Sequence, residues 1–382
     1  MPATNLIRVA FIVSTFEQGG MERCISRLCN RLDRKRYSPT VISFSSIGSA
    51  DHWITTEGVE RVGLGFGGGN NPKLIIRLAK ELRDRKIDVA HSHNWGSLLE
   101  TSIATRLSKT NHVHSERGTV LNHLGAPEWK VRLRAHLATA ALRRTNQVLT
   151  VANHTADVLR RYCPRVSNRI KVIGNGVDPI LSNDGADLRE RFGVKPDEIL
   201  VGSVSRLVDV KNLHCLIDAM NKATRQSPKL KLAIVGEGPN RTALESAVQE
   251  YRLSEKVIFA GMQERPDAWF DAFDVFVNCS ISEGISQALL ESLSKGIPSV
   301  VTDVGDHGMI VRSPVPSGIV VPSRDHEMMA EGLVRLASDE DERVQLGKAA
   351  LEKYNQQFTI EAMVENHSRV YRSVVNGKLT PC

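Results

Sequence analysis

Short apolar runs of strand-like composition alternate with amphipathic stretches along this sequence, and the series runs twice. Residues 6–14 read as a first strand, closed by a turn at Gly19 and Gly20 and followed by a helix to Arg31. Strands at 41–44, 89–91, near His114, at 148–151 and at 170–173 follow. Helices over 73–86, with Leu74, Leu78 and Leu82 on one stripe, over 129–144 and over 154–161 separate them. Residues 178–186 break the pattern: they are polar, hold Pro179 and Gly185 and lack periodicity, as a linker does. The series then restarts, with strands at 199–203, 230–235, 257–259, 275–278, 299–302 and 318–321 and helices at 325–337, 340–354 and 359–375. Strands separated by helices cannot pair as hairpins; their crossovers demand parallel sheets, so the class is α/β. At 382 residues the chain exceeds one ordinary core. We expect one domain over 1–178, a second over 186–355 and a C-terminal helix over 356–382.

Composition narrows the setting. Residues 6–13 are interrupted by Arg8 and soon followed by Gly19-Gly20, which is not a signal peptide, and no run approaches the about 18 apolar residues of a membrane span. Cys24, Cys29, Cys163, Cys215, Cys279 and Cys382 show neither metal-ligand nor disulfide-framework spacing, so a reducing cytosol is the expected compartment, with the protein soluble or peripheral on a membrane. Residues 1–180 hold 27 Lys and Arg against 14 Asp and Glu, whereas residues 181–382 hold 23 against 29. The basic half implies an anionic partner: nucleic acid, anionic lipid or a phosphorylated acceptor. Aromatic content of 5%, with no aromatic-interleaved basic strand, argues against nucleic acid. Trp129, Arg132 and Arg134 share a helix with an apolar stripe, a pattern that fits an anionic membrane surface and equally a solvated amphipathic helix.

Two charged pairs carry the chemistry: Arg206 with Lys211, and Glu283 with Glu291. Taken singly they are ordinary surface charges. Together they fall beside the ends of the strands at 200–203 and 275–278, where ligands bind in open parallel sheets. A glycine-punctuated turn before a helix offers backbone N–H groups to an anion, and a diphosphate fits there. We expect Glu283 at that helix entrance and Glu291 about 12 Å along, at ~1.5 Å per residue, each gripping its own hydroxyl groups. Carboxylates beside a phosphate repel it, so Arg206 and Lys211 would supply the compensating charge. The set describes a nucleotide-sugar donor. Gly236-x-Gly238 lacks a third glycine, Arg241 standing in its place, which disfavours a nicotinamide fold. Asp339 and Asp341, the lone Asp-x-Asp, open an acidic helix start far from the other motifs. His91 and His93 alternate on a strand with no third ligand in register, so no metal is expected.

These residues resemble the glycosyltransferases of family 4, which have the two-domain GT-B fold, over nearly the whole chain. Glu283 and Glu291 look like the family's Glu-x7-Glu signature, and Ser205-Arg206-Leu207 with Lys211-Asn212 like its Gly-Arg-Leu and Lys-Asn segment. Gly19-Gly20-Met21-Glu22, Ile173-Gly174-Asn175-Gly176-Val177-Asp178, Val235-Gly236-Glu237-Gly238-Pro239 and the run 296–303 stand in the expected order. The resemblance implies two Rossmann-like parallel-sheet domains facing a central cleft, with the last helix crossing back to the first domain. It implies a retaining transfer of a hexose or N-acetylhexosamine from a nucleotide-diphosphate sugar, UDP first among them, to a glycan or polyprenyl-diphosphate-linked acceptor, without metal or cofactor. The leaving phosphate would help to deprotonate the acceptor.

Carried over, Glu283 touches the donor sugar and Glu291 the ribose. Gly284, Ile285, Ser286 and Leu290 line the donor, the base lies near Gly261 and Met262, and Gly19 and Gly20 admit a phosphate. His114 would face the cleft as a catalytic residue with Glu283, Arg206 and Lys211, while His93, Asn94, Trp95 and Arg117 would meet the acceptor or merely pack. Where many relatives have Gly-Gly-x-x-Glu, this chain has Gly305-Asp306-His307-Gly308-Met309, so the usual acid is absent at Met309. A nucleotide-sugar epimerase of the same fold and a basic membrane- or nucleic-acid-binding module with a degenerate sugar site are the alternatives.

Overall fold

The computed structural model of the protein describes residues 6–67, 71–118, 127–263 and 266–377; Cys382 lies outside them. The chain divides into two compact units, Met1–Gly176 with Ile360–Cys382, and Val177–Thr359. Unit 1 runs β1 (Ile7–Val13), α1 (Gly20–Arg31), β2 (Tyr37–Ser43), β3 (Glu60–Gly63), α2 (Pro72–Asp84), β4 (Val89–His93), α3 (Trp95–Ser108), β5 (Asn111–Glu116), α4 (Glu128–Leu142), β6 (Gln147–Thr150), α5 (Asn153–Tyr162) and β7 (Ile170–Val172). Unit 2 runs α6 (Gly185–Arg191), β8 (Ile199–Val204), α7 (Leu213–Gln226), β9 (Leu230–Val235), α8 (Arg241–Glu250), β10 (Val257–Gly261), β11 (Val275–Asn278), α9 (Gln287–Ser294), β12 (Ser299–Thr302), α10 (His307–Arg312), β13 (Gly318–Val321), α11 (His326–Ser338) and α12 (Glu340–Gln357). The closing helix α13 (Ile360–Val375) belongs to unit 1.

In unit 1 seven parallel strands are ordered β3-β2-β1-β4-β5-β6-β7. Strand alternation sends Val9, Phe11 and Val13 to a core closed by α1 and α13, and Ala10 and Ile12 to a core closed by α2. From α13, Ile360, Met363, Val370, Tyr371 and Val374 are buried against the first of these cores. The second strand begins at Tyr37, earlier than the 41–44 expected from sequence, and it includes Pro39. Its neighbour β3 joins only from Thr40, so Pro39 lies where β2 has an open edge.

In unit 2 six parallel strands are ordered β10-β9-β8-β11-β12-β13. Val201, Leu232, Val275 and Val277 face a core shared with α7, α8 and α11, while Leu200, Ala233 and Phe276 face another that includes α9, Trp269 and Tyr354. Both faces of the sheet are covered, which is why these strands read as continuous apolar runs. Asp339 caps α12, its carboxylate accepting the Glu342 N–H at 2.8 Å, so the Asp-x-Asp pair starts a helix.

Candidate active site

The strand order of unit 2 reverses between β8 and β11, the kind of switch point outside which ligands bind in open parallel sheets. The loop after β8 carries Arg206, then a 3-10 turn over Asp209–Lys211, then Asn212 at φ 53°, which starts α7. The loop after β9 packs on it from one side. A side chain at Gly236, φ 135°, would collide with the Ser205 carbonyl, and Leu207 N–H donates to the Glu237 carbonyl at 2.9 Å. Close backbone approach explains that glycine motif. From the other side the loop after β11 docks: Ile281 N–H donates to the Val210 carbonyl at 2.9 Å and Cys279 Sγ to that of Lys211 at 3.0 Å.

Across this seam the Lys211 ammonium pairs with the Glu283 carboxylate, which also accepts from Ser280 Oγ at 3.1 Å. Burial alone would raise the Glu283 carboxyl, but the Lys211 charge and the hydrogen bonds from Lys211 and Ser280 outweigh it, and its pKa falls below the usual carboxylate value. Arg206 is exposed and has no ion pair among the described residues. Of the two expected cations, therefore, one is already neutralised and the other is available.

Helix α9 starts at Gln287, with Ser286 as its N-cap, so Glu283 lies in the preceding loop and not at the helix entrance. The spacing drawn from helical rise consequently does not apply to Glu283 and Glu291, because only the second is helical. Glu291 is buried in the second turn of α9. Leu290 is wholly buried in the core. Ile285 leans against the same core and Gly284 is buried beneath the loop after β12. There Gly305, φ 55°, packs on the Glu283 and Gly284 carbonyls and Asp306 N–H donates to Gly284 O at 3.1 Å. The Ser286 N–H, expected to be open to an anion, donates instead to His307 Nε2 at 3.3 Å. On the far side of β8, Gly261 ends β10 at φ 71°, and Met262 beside it is 63% exposed.

In unit 1 the strand order reverses between β1 and β4. After β1, Gly19 is the N-cap of α1 in extended conformation and Gly20 its first residue, with Glu22 packed against Gly19. After β4, Asn94 adopts φ 58°, ψ 169°, a region glycine alone occupies without strain. Its Oδ1 accepts the Arg117 N–H at 2.9 Å and ties the ends of β4 and β5 together. Arg117 then donates from Nε to His93 Nδ1 at 3.2 Å and from its terminal nitrogen to Asn175 Oδ1 at 2.8 Å. Its partners are neutral, and among the described residues it has no carboxylate. Burial first, then the Arg117 charge, holds His93 well below the ordinary imidazole value. Trp95 packs sideways against the core of Leu98 and Leu142.

His114, expected to face the cleft, is 1% exposed. Strand alternation turns it away from His93 and towards His112, and its Nδ1 bonds Ser92 Oγ at 2.8 Å. His91 is likewise engaged, between Tyr371 and Ser115 at 2.8 and 2.7 Å. Among the described residues no three His, Cys, Asp or Glu side chains converge as metal ligands. Two site-proximal residues escaped the sequence reading. Asn175 stood inside a recognised motif without a role, and His307 was visible only as a departure from Gly-Gly-x-x-Glu.

The sequence matches the family description Glycosyltransferase Family 4 over residues 18–180 and Glycosyl transferases group 1 over residues 184–353. It is 25% identical over 316 residues to the UDP-Gal:alpha-D-GlcNAc-diphosphoundecaprenol alpha-1,3-galactosyltransferase of Escherichia coli, covering 80% of each chain. It is 22% identical over 319 residues to the N-acetyl-alpha-D-glucosaminyl L-malate synthase of Bacillus anthracis, covering 80% of this chain and 81% of that one. The fold is shared with Anabaena Alr3699/HepE, crystallised in complex with UDP, at TM-score 0.83 and 19% identity over 96% of this chain and 100% of that one. Two parallel-sheet Rossmann-like units, the knitted loops at the β8–β11 seam and these matches give one conclusion: the chain belongs to glycosyltransferase family 4, an enzyme family of GT-B fold.

Proposed function

We propose that the protein is a retaining glycosyltransferase that moves a hexose or N-acetylhexosamine from a UDP-sugar to a glycan or polyprenyl-diphosphate-linked acceptor, without metal. The observation that carries this is the Lys211–Glu283 pair spanning the β8–β11 seam, with Arg206 in the same β8 loop exposed and without an ion pair among the described residues. As the bond to the sugar lengthens, negative charge grows on the leaving diphosphate. Arg206 meets it first, and Lys211 follows as Glu283 turns to the sugar hydroxyls. Glu291 holds the ribose, and Gly261 with Met262 receives the base. Glycines 19 and 20 let backbone approach a phosphate. The activity named for the Escherichia coli relative, on UDP-Gal and a diphosphoundecaprenol-linked acceptor, supports the choice of donor and acceptor class. On the acceptor side we assign Arg117, oriented by His93, Asn94 and Asn175, with Trp95 and buried His114 supporting the strand ends. The leaving phosphate takes the acceptor proton.

We further assign unit 1 to the inner face of the cytoplasmic membrane. Trp129, Leu133 and Leu137 stand exposed on one stripe of α4, Trp129 at 62%, with Lys130 and Arg132 beside them. No helix among the described residues is long and apolar enough to cross a membrane, so contact would be peripheral. Flotation with anionic liposomes at low salt is expected to carry the protein upward, and Trp129→Ser to leave it at the bottom; an unbound wild type would refute the assignment. Donor chemistry is tested by hydrolysis and transfer across UDP-, GDP- and ADP-sugars with and without a chelator. Turnover of a UDP-sugar that survives chelation is expected, and no turnover of any donor would overturn the reading.

A further inference from the structure

One buried titratable group beside Glu283 has no part in that scheme. His307 opens α10, is fully buried, and its Nε2 accepts the backbone N–H of Ser286. Ser286 in turn caps α9, its Oγ accepting from Leu289 N–H at 3.4 Å. The ring therefore sits between the helix that carries Glu291 and the loop that carries Glu283. Acceptance at Nε2 requires an unprotonated nitrogen there, so the bonded ring is neutral with its proton on buried Nδ1, and a hydrogen bond with the Thr302 backbone also holds the ring.

We propose that His307 is a positioning residue of the donor site: as a neutral imidazole it locks residues 283–286 in place, and its protonation releases them and weakens nucleotide binding. The functional half of this proposal rests on the donor reading above.

The charged groups facing the ring fix the direction. Glu283 reaches it from the loop after β11, Lys211 from the loop after β8, and Asp306 from its own cap, while Asp303 is occupied by Arg312 at 2.8 Å. Protonation places a second donor opposite the Ser286 N–H, and the nearby Glu283 carboxylate then offers the imidazolium a better partner than the amide. The loop bond would be exchanged for an ion pair that competes with Lys211. Burial, opposed by Glu283, keeps the ring below its ordinary value of 6.5. A group with a lowered value in the fold contributes fully above its unfolded pKa, and that contribution is lost as pH falls through the lowered one.

The test uses full-length protein with His307→Leu, which removes the acceptor but fills the space, and His307→Gln, whose amide oxygen restores it. Hydrogen exchange of the segment 283–290 is read at pH 7 and pH 5, beside calorimetric titration with UDP. Protection, corrected for the intrinsic exchange rate at each pH, is expected to be high in wild type and His307→Gln at pH 7, low in His307→Leu at both pH values, and lower at pH 5 than at pH 7 in wild type but not in His307→Gln. Affinity for UDP should fall about tenfold in His307→Leu, the size of one lost hydrogen bond to a buried amide. In His307→Gln it should hold within about threefold and no longer decline with acid. Equal exchange in all three proteins, or His307→Gln behaving as His307→Leu, would overturn the proposal. If wild type binds no UDP, the donor reading fails while the exchange data still judge His307.

Discussion

At the scale of single residues, the donor site is a balance of few charges. In the donor site proposed above, Arg206 and Lys211 would face a diphosphate, and Glu283 already holds Lys211, so each cation matters separately. Arg206→Ala and Lys211→Ala are each expected to lower transfer by about 10² to 10³-fold, the cost of removing one fixed donor to developing charge, measured as kcat with saturating donor. Glu283→Gln should separate binding from transfer. Freed of its partner, Lys211 would bind UDP about fivefold more tightly, near 1 kcal/mol for a partly exposed pair, while transfer falls because the sugar loses its carboxylate. Calorimetry with UDP beside a transfer assay distinguishes the two. That Arg206, Lys211 and Glu283 lie in loops that follow strands was legible in the sequence, because their motifs stand at strand ends. What lay opposite them was not. The orientation of His114 depends on which face of β5 it occupies, and the role of His307 depends on a contact between residues 21 positions apart.

At the scale of elements, the site is held by loops that touch backbone to backbone. Gly236→Ala and Gly305→Ala would force side chains into carbonyls at φ 135° and 55°, each costing about 1–3 kcal/mol and lowering the melting temperature of unit 2 by roughly 2–10 °C. Both should weaken UDP binding more than they disturb far-ultraviolet circular dichroism. A second element-level prediction concerns α12. Lys353 is buried, its ammonium donating to the carbonyls of Ile310, Val311 and Val315 and to Ser317 Oγ, and burial pulls its pKa down to about 8. Between about 8 and the unfolded value of 10.5 the unfolded chain holds the extra proton, so this residue makes stability rise with pH across that window. Lys353→Met should flatten that rise in urea unfolding curves recorded from pH 7.5 to 10. Most strands were legible because both sheet faces are covered. Helix α3 was not, since it buries small and polar residues such as Ser97, Thr101 and Ala104 and shows no apolar stripe. Edge strand β3 was missed because it is largely exposed.

At the scale of the whole molecule, α13 shares one core with β1 and α1, across the whole of unit 2 in sequence. Deleting residues 360–382 would strip Ile360, Met363, Val370, Tyr371 and Val374 from unit 1. At about 1.5–3 kcal/mol per buried side chain that loss rivals the about 5–15 kcal/mol that keeps a domain folded. Calorimetry of the truncated protein is expected to show the unit 2 transition alone, with unit 1 rapidly cleaved by trypsin. The same arrangement sets a timetable for synthesis. The core of unit 1 waits for α13, and the intervening 177–359 takes about 10–40 s to translate at ~5–20 residues per second. For that interval the nascent N-terminal sheet has an uncovered apolar face, a natural target for chaperones that attend growing chains.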